Sequence, residues 1–337
     1  MSETSNNELI VFSETPKIDG LIFRHFRGEA DYPGMITIWT TLRQAGYFEG
    51  SNTVEDLAID YRHLHNCDPA KDMIFAEVNG EMVAYSRVWW DDESDCRVYY
   101  HFINILPAYK GQGIESALLK WIEQRLLEIS WSQPGEQERF YIQTCSQNDT
   151  TLYNLLTENG YKPVRYYYSM SRTLEDIPEA ELPEGIVARP PMPSQYHEVW
   201  ERANEAFSEH WGFVEGHEED YQSWKEGRWF QPLLWQIAWD GDRMVSQVQN
   251  YVDEVENEST HRLRGYTEGI STLKAWRGKG IAKALIVRSM KMMKALNLTE
   301  VALTVDSENA TGALNLYESL GYQTYRTVIE MRKPMNR

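Results

Sequence analysis

The sequence predicts an α+β fold that consists of two tandem copies of one domain. Two observations support this: short motifs recur in the same order about 160 residues apart, and each copy shows the same succession of strand-like and helix-like segments. A strand and a helix precede a hairpin, and a longer strand, a Gly-rich turn, a second helix, a strand, a short helix and a last strand follow. This order predicts a sheet of mixed strand direction with flanking helices in each copy.

Three motifs occur twice and align the copies. The hairpin-turn pairs and the helix ends recur 161 residues apart. The Gly-rich turns recur 167 residues apart, because the connections around them differ in length. Asn-Gly and Asp-Gly between strand-like runs favour two-residue hairpin turns, and Gly just past a helix favours a helix end. The motifs are the turn pairs Asn79-Gly80 and Asp240-Gly241, the helix ends Gly160-Tyr161 and Gly321-Tyr322, and the turns Gly111-Gln112-Gly113 and Gly278-Lys279-Gly280.

A linker rich in proline and acidic residues joins the copies. The stretch 175–193 contains five prolines and precedes a strand-like segment at 185–188. Proline clusters interrupt regular structure, so we expect the join here. The predicted domains are residues 1–176 and residues 177–337.

Composition narrows the class of protein. The 337 residues carry a net charge of −18, and a surface so negative repels nucleic acid and anionic membranes. No apolar run approaches the roughly 20 residues of a membrane span, and the first residues do not resemble a signal peptide. Cys67, Cys96 and Cys145 form no metal-binding spacing or even disulfide set. We therefore expect a cytoplasmic protein without a metal.

The Gly-rich turn of the second copy has the features of an anion-binding site. A strand ends at Thr272, and the turn with Gly278 and Gly280 opens a helix at Ile281. Glycines allow close approach of a ligand to the main chain, and the first helical amides have no partner inside the helix. Together with the helix dipole they suit a pyrophosphate, and Arg277 and Lys279 add positive charge. A turn that only packs the helix onto the sheet is the alternative.

The surrounding residues distinguish between these alternatives. Arg277-x-x-Gly280-x-Ala282, followed by Asn309 and by Tyr317 four residues before Gly321, resembles the GNAT superfamily of acyl-CoA-dependent N-acyltransferases. The resemblance covers residues 185–333, and residues 18–173 resemble a second, diverged member. The tandem arrangement is similar to mycothiol-synthase-like acetyltransferases. The resemblance implies two GNAT-like domains, each with a splayed pair of parallel strands.

The resemblance also implies the residues that bind the donor substrate, acetyl-CoA. The donor would lie between the splayed strands at 266–273 and 300–305. Main-chain amides near Ile270, Thr272 and Leu273 would hold the thioester and pantetheine. The remaining predicted contacts are the phosphate-binding residues Arg277, Gly278, Lys279, Gly280, Ile281 and Ala282, and Asn309, which is alternatively a helix cap.

Two residues are predicted to move protons. Tyr317 stands where the family often has a tyrosine that donates to the leaving thiolate, although it could also be a core residue. Glu268 shares one strand face with Ile270 and Thr272, and a carboxylate there can accept a proton from the attacking amine. It could instead be a solvated side chain or a salt-bridge partner of the substrate. Asp306 and His210 are rival bases.

The first copy departs from the motif. Lys110 replaces the Arg or Gln, and Glu115 stands where the second copy has Ala282, so that a carboxylate would repel a pyrophosphate. Leu156 matches Tyr317 and has no proton to donate, although Tyr153 lies one turn earlier. His101 matches Glu268 and could still act as a base. We expect the first domain to be diverged and catalytically weak or non-catalytic. It either still binds CoA or only packs against the second domain and shapes its substrate cleft.

These residues predict an N-acetyltransferase. Acetyl would pass from acetyl-CoA to a primary amine, of a small molecule or a peptide, by direct attack in a ternary complex. The alternative is a non-catalytic acyl-CoA-binding or regulatory module. Nucleotide hydrolysis is disfavoured because the turn lacks the Gly-x-x-x-x-Gly-Lys-Ser/Thr spacing. Neither the acceptor nor the oligomeric state follows from the sequence.

Overall fold

The computed structural model describes residues 9–12, 14–309 and 311–336, which divide into two compact units. The first unit extends to Arg165 and also includes the segment that begins at Val328, and the second unit is Tyr166–Thr327. Among the described residues, none of the helices has the length and apolar character needed to cross a bilayer.

The first unit is a sheet with helices on both faces. Its strand order is β1-β2-β3-β4-β5-β6-β13, and only β5 and β6 are parallel neighbours. Its elements are β1 (Leu9–Ile10), β2 (Leu21–Arg24), α1 (Tyr32–Gln44), α2 (Val54–Arg62), α3 (Pro69–Asp72), β3 (Met73–Val78), β4 (Glu81–Asp92), β5 (Cys96–Ile105), α4 (Ile114–Trp131), β6 (Glu138–Ser146), α5 (Thr150–Glu158) and part of β13 (Gln323–Pro334).

The second unit repeats this plan. Its strand order is β7-β12-β11-β10-β9-β8, with β11 and β12 as the parallel neighbours. Its elements are most of β7 (Lys162–Thr173), β8 (Ile186–Arg189), α6 (Tyr196–Phe207), α7 (Glu218–Glu226), β9 (Gln236–Asp240), β10 (Arg243–Tyr251), α8 (Glu254–Thr260), β11 (Arg264–Thr272), α9 (Ile281–Ala295), β12 (Glu300–Asp306) and α10 (Ala313–Ser319).

The predicted α+β class and the mixed sheets are confirmed, and one turn differs by a residue. In the first hairpin Asn79 and Gly80 both have positive φ, as the predicted two-residue turn requires. In the second, Asp240 ends β9 and pairs with Arg243, so the turn residues are Gly241 and Asp242. Of these two residues only Gly241 has positive φ. A type II′ turn requires positive φ only at its first central residue, which is Gly241 here.

The last strands of the two repeats are exchanged between the units. From Tyr167 to Thr173, β7 pairs with β12 of the second unit, whereas Val328–Pro334 of β13 pairs with β6 of the first. The packing units therefore do not coincide with the sequence repeats expected at 1–176 and 177–337. Which sheet a strand joins depends on the sheet edge that is available to it in the folded chain, and the local sequence does not indicate this.

The helices that follow the Gly-rich turns pack most deeply. In α9, Ile281 and Leu285 are buried, whereas Leu296 lies just past the helix end and is 48% exposed. In α4, Ile114, Leu118 and Ile122 are fully buried. Each turn is therefore held at the end of a rigid helix.

The strand exchange predicts that a residue near the C-terminus stabilises the first unit. Met331 is fully buried in the core of that unit, so Met331→Ala should lower its free energy of unfolding by about 2–5 kcal/mol. We expect hydrogen exchange to accelerate in β6 while β11 and β12 are unaffected. Gln323→Ala, at the exposed start of the same strand, is the control. Faster exchange confined to the second unit would contradict the assignment.

Candidate active site

A cleft opens in the second unit where β11 and β12 separate. The strands pair only from Arg264 to Tyr266 with Glu300 to Ala302, and they diverge beyond that point. The cleft has a volume of about 570 Å³. Six segments line it: residues 268–272 of β11, the turn and first residues of α9, residues 304–306 of β12, the start of α10 with the residues just before it, residues 206, 207 and 210 at the end of α6, and Tyr167 of β7.

The backbone of β11 offers hydrogen-bonding groups to this cleft. The N–H of Leu273 donates to the carbonyl of Val245 in β10 at 2.9 Å, and the carbonyl of Ser271 accepts from Ser246 on the same side. Successive N–H groups of a strand point to opposite edges, so those of Ile270 and Thr272 face the cleft. The expectation for Leu273 was wrong, because its amide serves the sheet and its side chain is 2% exposed.

The turn before α9 is open. Gly278 and Gly280 have φ values of +74° and +79°, and a methyl group built on either would meet no atom within 4 Å. Gly280 is the N-cap, and no side chain caps the helix. The amides of Ile281, Ala282 and Lys283 have no partner inside the helix, and all three residues line the cleft. The predicted anion-binding geometry is therefore present.

The positive charge at this turn is arranged differently from the expectation. The Arg277 guanidinium lines the cleft but bonds to Glu209, to the Ala206 carbonyl and to the Thr272 carbonyl. Lys279 is not among the lining residues, and its ammonium lies 5.9 Å from the centre of the Trp276 ring. Lys283 lines the cleft and forms no ion pair within the part of the chain that the structure describes. The sequence reasoning missed Lys283, although its place in the first turn of α9 is the signal for it.

Tyr317 reaches the cleft from α10. It is 5% exposed, and its hydroxyl makes no hydrogen bond with any described residue. Burial raises its pKa well above the ordinary 10, and the nearby carboxylate of Glu268 raises it further. The phenol is therefore protonated at neutral pH and can donate to a group in the cleft.

The three candidate bases all line the cleft, in different environments. Glu268 lies on the β11 wall, near Tyr317. His210 is half-buried, and burial, followed by the charge of Arg277, lowers its pKa below 6.5. The His210 ring is therefore uncharged at neutral pH. Asp306 accepts a hydrogen bond from the N–H of Glu308 at 3.0 Å, which stabilises the turn after β12.

Asn309 lines the cleft but does not cap α10. Its side-chain oxygen accepts from the N–H of Thr311 at 2.8 Å, whereas the N-cap of α10 is Gly312. Its contact with acetyl-CoA stays a prediction. Two lining residues carried no sequence signal for this position. Tyr167 arrives there through the exchanged strand β7, and Phe207 through the packing of α6.

The corresponding turn of the first unit is closed. The carboxylate of Glu115 is 4% exposed and accepts from the N–H of Gly111 at 2.9 Å, so an anion from the protein occupies the turn. A methyl group on Gly113 would lie 3.5 Å from Pro16. Lys110 is paired with Asp149. Its charge is therefore already neutralised within the protein.

The other predicted groups of the first unit are also buried. Leu156 is a fully buried core residue. His101 is 3% exposed and bonds to the Tyr161 hydroxyl at 2.9 Å, and burial lowers its pKa to about 3. The expectation that His101 could act as a base was wrong, because the ring lies in the core.

Comparison with known proteins identifies the family. The model of the acetyltransferase (GNAT) family matches residues 37–160 and again residues 196–322. The chain belongs to the GNAT acetyltransferase family. It is an acyltransferase with two GNAT domains in tandem, and acetyl-CoA is the donor that the family uses.

Relatives and solved structures agree with this result. The chain is 29% identical to a mycothiol acetyltransferase of Pseudarthrobacter chlorophenolicus over 65% of its own length and 65% of the relative. It is 25% identical to a mycothiol acetyltransferase of Geodermatophilus obscurus over 90% and 95%. A GCN5-related N-acetyltransferase from Sphaerobacter thermophilus superposes with a TM-score of 0.71 and 25% identity, covering 95% of this chain and 97% of that one.

The open turn predicts a glycine requirement for donor binding. Gly280→Ala adds a methyl group where the amides face the cleft, and we expect acetyl-CoA affinity, measured by calorimetry, to fall at least about tenfold. Gly241→Ala introduces comparable strain at φ +59° in a hairpin turn and should leave affinity unchanged. Wild type should bind one acetyl-CoA per chain. Binding retained by the Gly280 variant would contradict the assignment of this turn.

Proposed function

We propose that the chain is an N-acetyltransferase that moves acetyl from acetyl-CoA to a primary amine, through its second unit. The observation that carries the proposal is that an uncapped helix N-terminus and the Tyr317 hydroxyl, which has no partner among the described residues, line the same cleft. The first suits a diphosphate, and the second suits the sulfur at the other end of the donor.

The donor is proposed to lie along β11. The amides of Gly280 to Lys283 hold the diphosphate, and the cleft-facing N–H groups of Ile270 and Thr272 bind the pantetheine arm and the thioester carbonyl. A main-chain N–H at that carbonyl stabilises the oxyanion that forms when the amine attacks. The polar groups of one splayed strand thereby serve both binding and catalysis.

Direct transfer is proposed, without an acetylated enzyme. All three cysteines of the chain precede residue 166, so the second unit contains none that could carry the acetyl group. The amine nitrogen bonds to the carbonyl carbon, the carbon–sulfur bond breaks, and the nitrogen loses a proton. We assign Glu268, on the cleft wall, as the base that accepts this proton.

Tyr317 is proposed to stabilise the leaving sulfur. Its raised pKa makes full proton transfer to a thiolate of pKa about 8–9 unfavourable. Hydrogen-bond donation to the sulfur as negative charge develops does not require that transfer. The role is then specific to the transition state.

The acceptor is proposed to be a small amine or the exposed amine of a larger molecule. Glu268 and Asp306 place two acidic groups on the cleft wall, and these favour a cationic acceptor. The matched relatives are named mycothiol acetyltransferases, which supports a small-molecule acceptor.

The first unit is proposed to be catalytically silent. The closed turn at Glu115, the core residue Leu156 and the buried His101 together remove the anion site, the donor to sulfur and the base. Its retained contribution is structural, since it shares exchanged strands with the second repeat.

Replacement of Tyr317 tests the mechanism directly. Tyr317→Phe should lower kcat about 100-fold and leave the Kd for acetyl-CoA within about twofold, because the hydroxyl acts on developing charge. Since the raised pKa keeps the phenol protonated, the kcat of wild type should not fall between pH 8 and pH 10 on account of this group. Tyr153→Phe in the first unit is the control. A wild type that binds acetyl-CoA but acetylates no amine in a broad panel would instead favour the non-catalytic module.

The identity of the base is tested by a pair of variants. Glu268→Gln should lower kcat/KM about 100-fold, whereas His210→Asn should lower it less than about tenfold. If His210 were the base, its replacement would abolish the acidic limb of the pH profile of kcat/KM. That limb would have its midpoint below 6.5, because burial and Arg277 lower the pKa of His210.

A further inference from the structure

The end of α6 forms one side of the cleft. Ala206, Phe207 and His210 line it. The donor is proposed to lie along β11, which leaves this side of the cleft to the acceptor, and we therefore call residues 206–210 the acceptor wall. The rings of Phe207 and His210 contact each other edge to face at 4.8 Å. Any group that holds this wall in place affects where the acceptor can lie.

Arg277 connects the acceptor wall to the Gly-rich turn before α9, with Gly278 and Gly280, which we call the donor-binding turn. Its Nη1 donates to Oε2 of Glu209 at 2.7 Å, and its Nη2 donates to the Ala206 carbonyl at 3.1 Å. Its Nε donates to the Thr272 carbonyl at the end of β11, also at 3.1 Å. The guanidinium thus joins the wall, the strand and the turn that precedes α9.

Glu209 is held in addition by Lys274. Nζ of Lys274 lies 2.5 Å from Oε1 of Glu209, and the two cations together lower the pKa of the Glu209 carboxyl. The Glu209 side chain is 48% exposed and that of Arg277 is 27% exposed, so their ion pair is in contact with solvent. Exposed ion pairs contribute little to stability, so this one can be replaced at small free-energy cost.

A diphosphate in the adjacent turn competes for the same guanidinium. Arg277 lines the cleft next to Gly278 and Gly280, where the donor's diphosphate is proposed to lie. A diphosphate carries more charge than one carboxylate and accepts paired hydrogen bonds from a guanidinium. Lys274 can still neutralise Glu209 when Arg277 leaves it.

We propose that Glu209 is a positioning residue that shares Arg277 with the donor's diphosphate, so that donor binding releases the acceptor wall from the donor-binding turn. This inference rests on the proposed function. The coupling is reciprocal: a change that frees Arg277 in advance strengthens donor binding.

Calorimetry with acetyl-CoA and a double-mutant cycle test the sharing. Glu209→Gln should tighten acetyl-CoA binding about two- to fivefold, which corresponds to the loss of an exposed ion pair. The same substitution in an Arg277→Gln background should have no effect, because the shared group is absent. Glu205→Gln removes the same charge from α6, where Glu205 pairs with Arg202, and should leave affinity unchanged. Equal effects of Glu209→Gln in both backgrounds would overturn the proposal.

Hydrogen exchange of residues 206–217 provides a readout that does not depend on the acceptor. We expect acetyl-CoA to accelerate exchange in this segment of wild type, and Glu209→Gln to accelerate it without ligand, whereas Glu205→Gln should not. A segment that acetyl-CoA protects or leaves unchanged would overturn the release of the wall. If wild type bound acetyl-CoA but acetylated no amine, the proposed reaction would be wrong. The calorimetry and the hydrogen exchange would still show whether Glu209 and the diphosphate share Arg277. Absence of acetyl-CoA binding would overturn both proposals.

Discussion

The divergence of β11 from β12 is the constraint on which the candidate site depends. Parallel neighbours normally satisfy each other's backbone groups along their whole length. Here the pairing ends at Tyr266 and Ala302, and the N–H groups of Ile270 and Thr272 face a cleft instead of a strand. Buried backbone groups require partners, so such an edge is prepared for a ligand with polar groups along its length. The same divergence places the turn before α9 and the start of α10 on either side of that edge.

The Gly-rich turns of the two units have the same backbone conformation but different charge. Gly113 and Gly280 both have positive φ as N-caps of buried helices, so the turns are alike in conformation. At the second helical position the first unit has Glu115 and the second has Ala282. The carboxylate of Glu115 accepts a backbone hydrogen bond inside its own turn, whereas Ala282 leaves the turn open. The side chain at this one position thus distinguishes a turn that holds a carboxylate of the protein from an open turn.

Side chains of both charges line the cleft. Arg277 and Lys283 belong to the turn before α9 and to its first helical turn, whereas Glu268 belongs to β11 and Asp306 ends β12. Groups of both signs suit a donor with an anionic part and an acceptor with a cationic amine. Arg277 also bonds to Glu209, just past the end of α6.

The duplication, the α+β class and the position of the Gly-rich turn are predictable from the amino-acid sequence alone. Those features are local: positive-φ glycines, helix starts and alternating strand patterns are encoded within a few residues of where they act. The sequence also indicated Glu268, Tyr317 and Asn309, because their register follows from the element that carries each one.

Four features follow from tertiary packing alone: the exchange of β7 and β13, the partners of Arg277, the burial of His101 and the hydrogen bond of the Leu273 amide to β10. Each of these depends on which distant segment packs against the residue, and a local pattern of side chains carries no record of that segment. Tyr167 and Phe207 enter the cleft for the same reason.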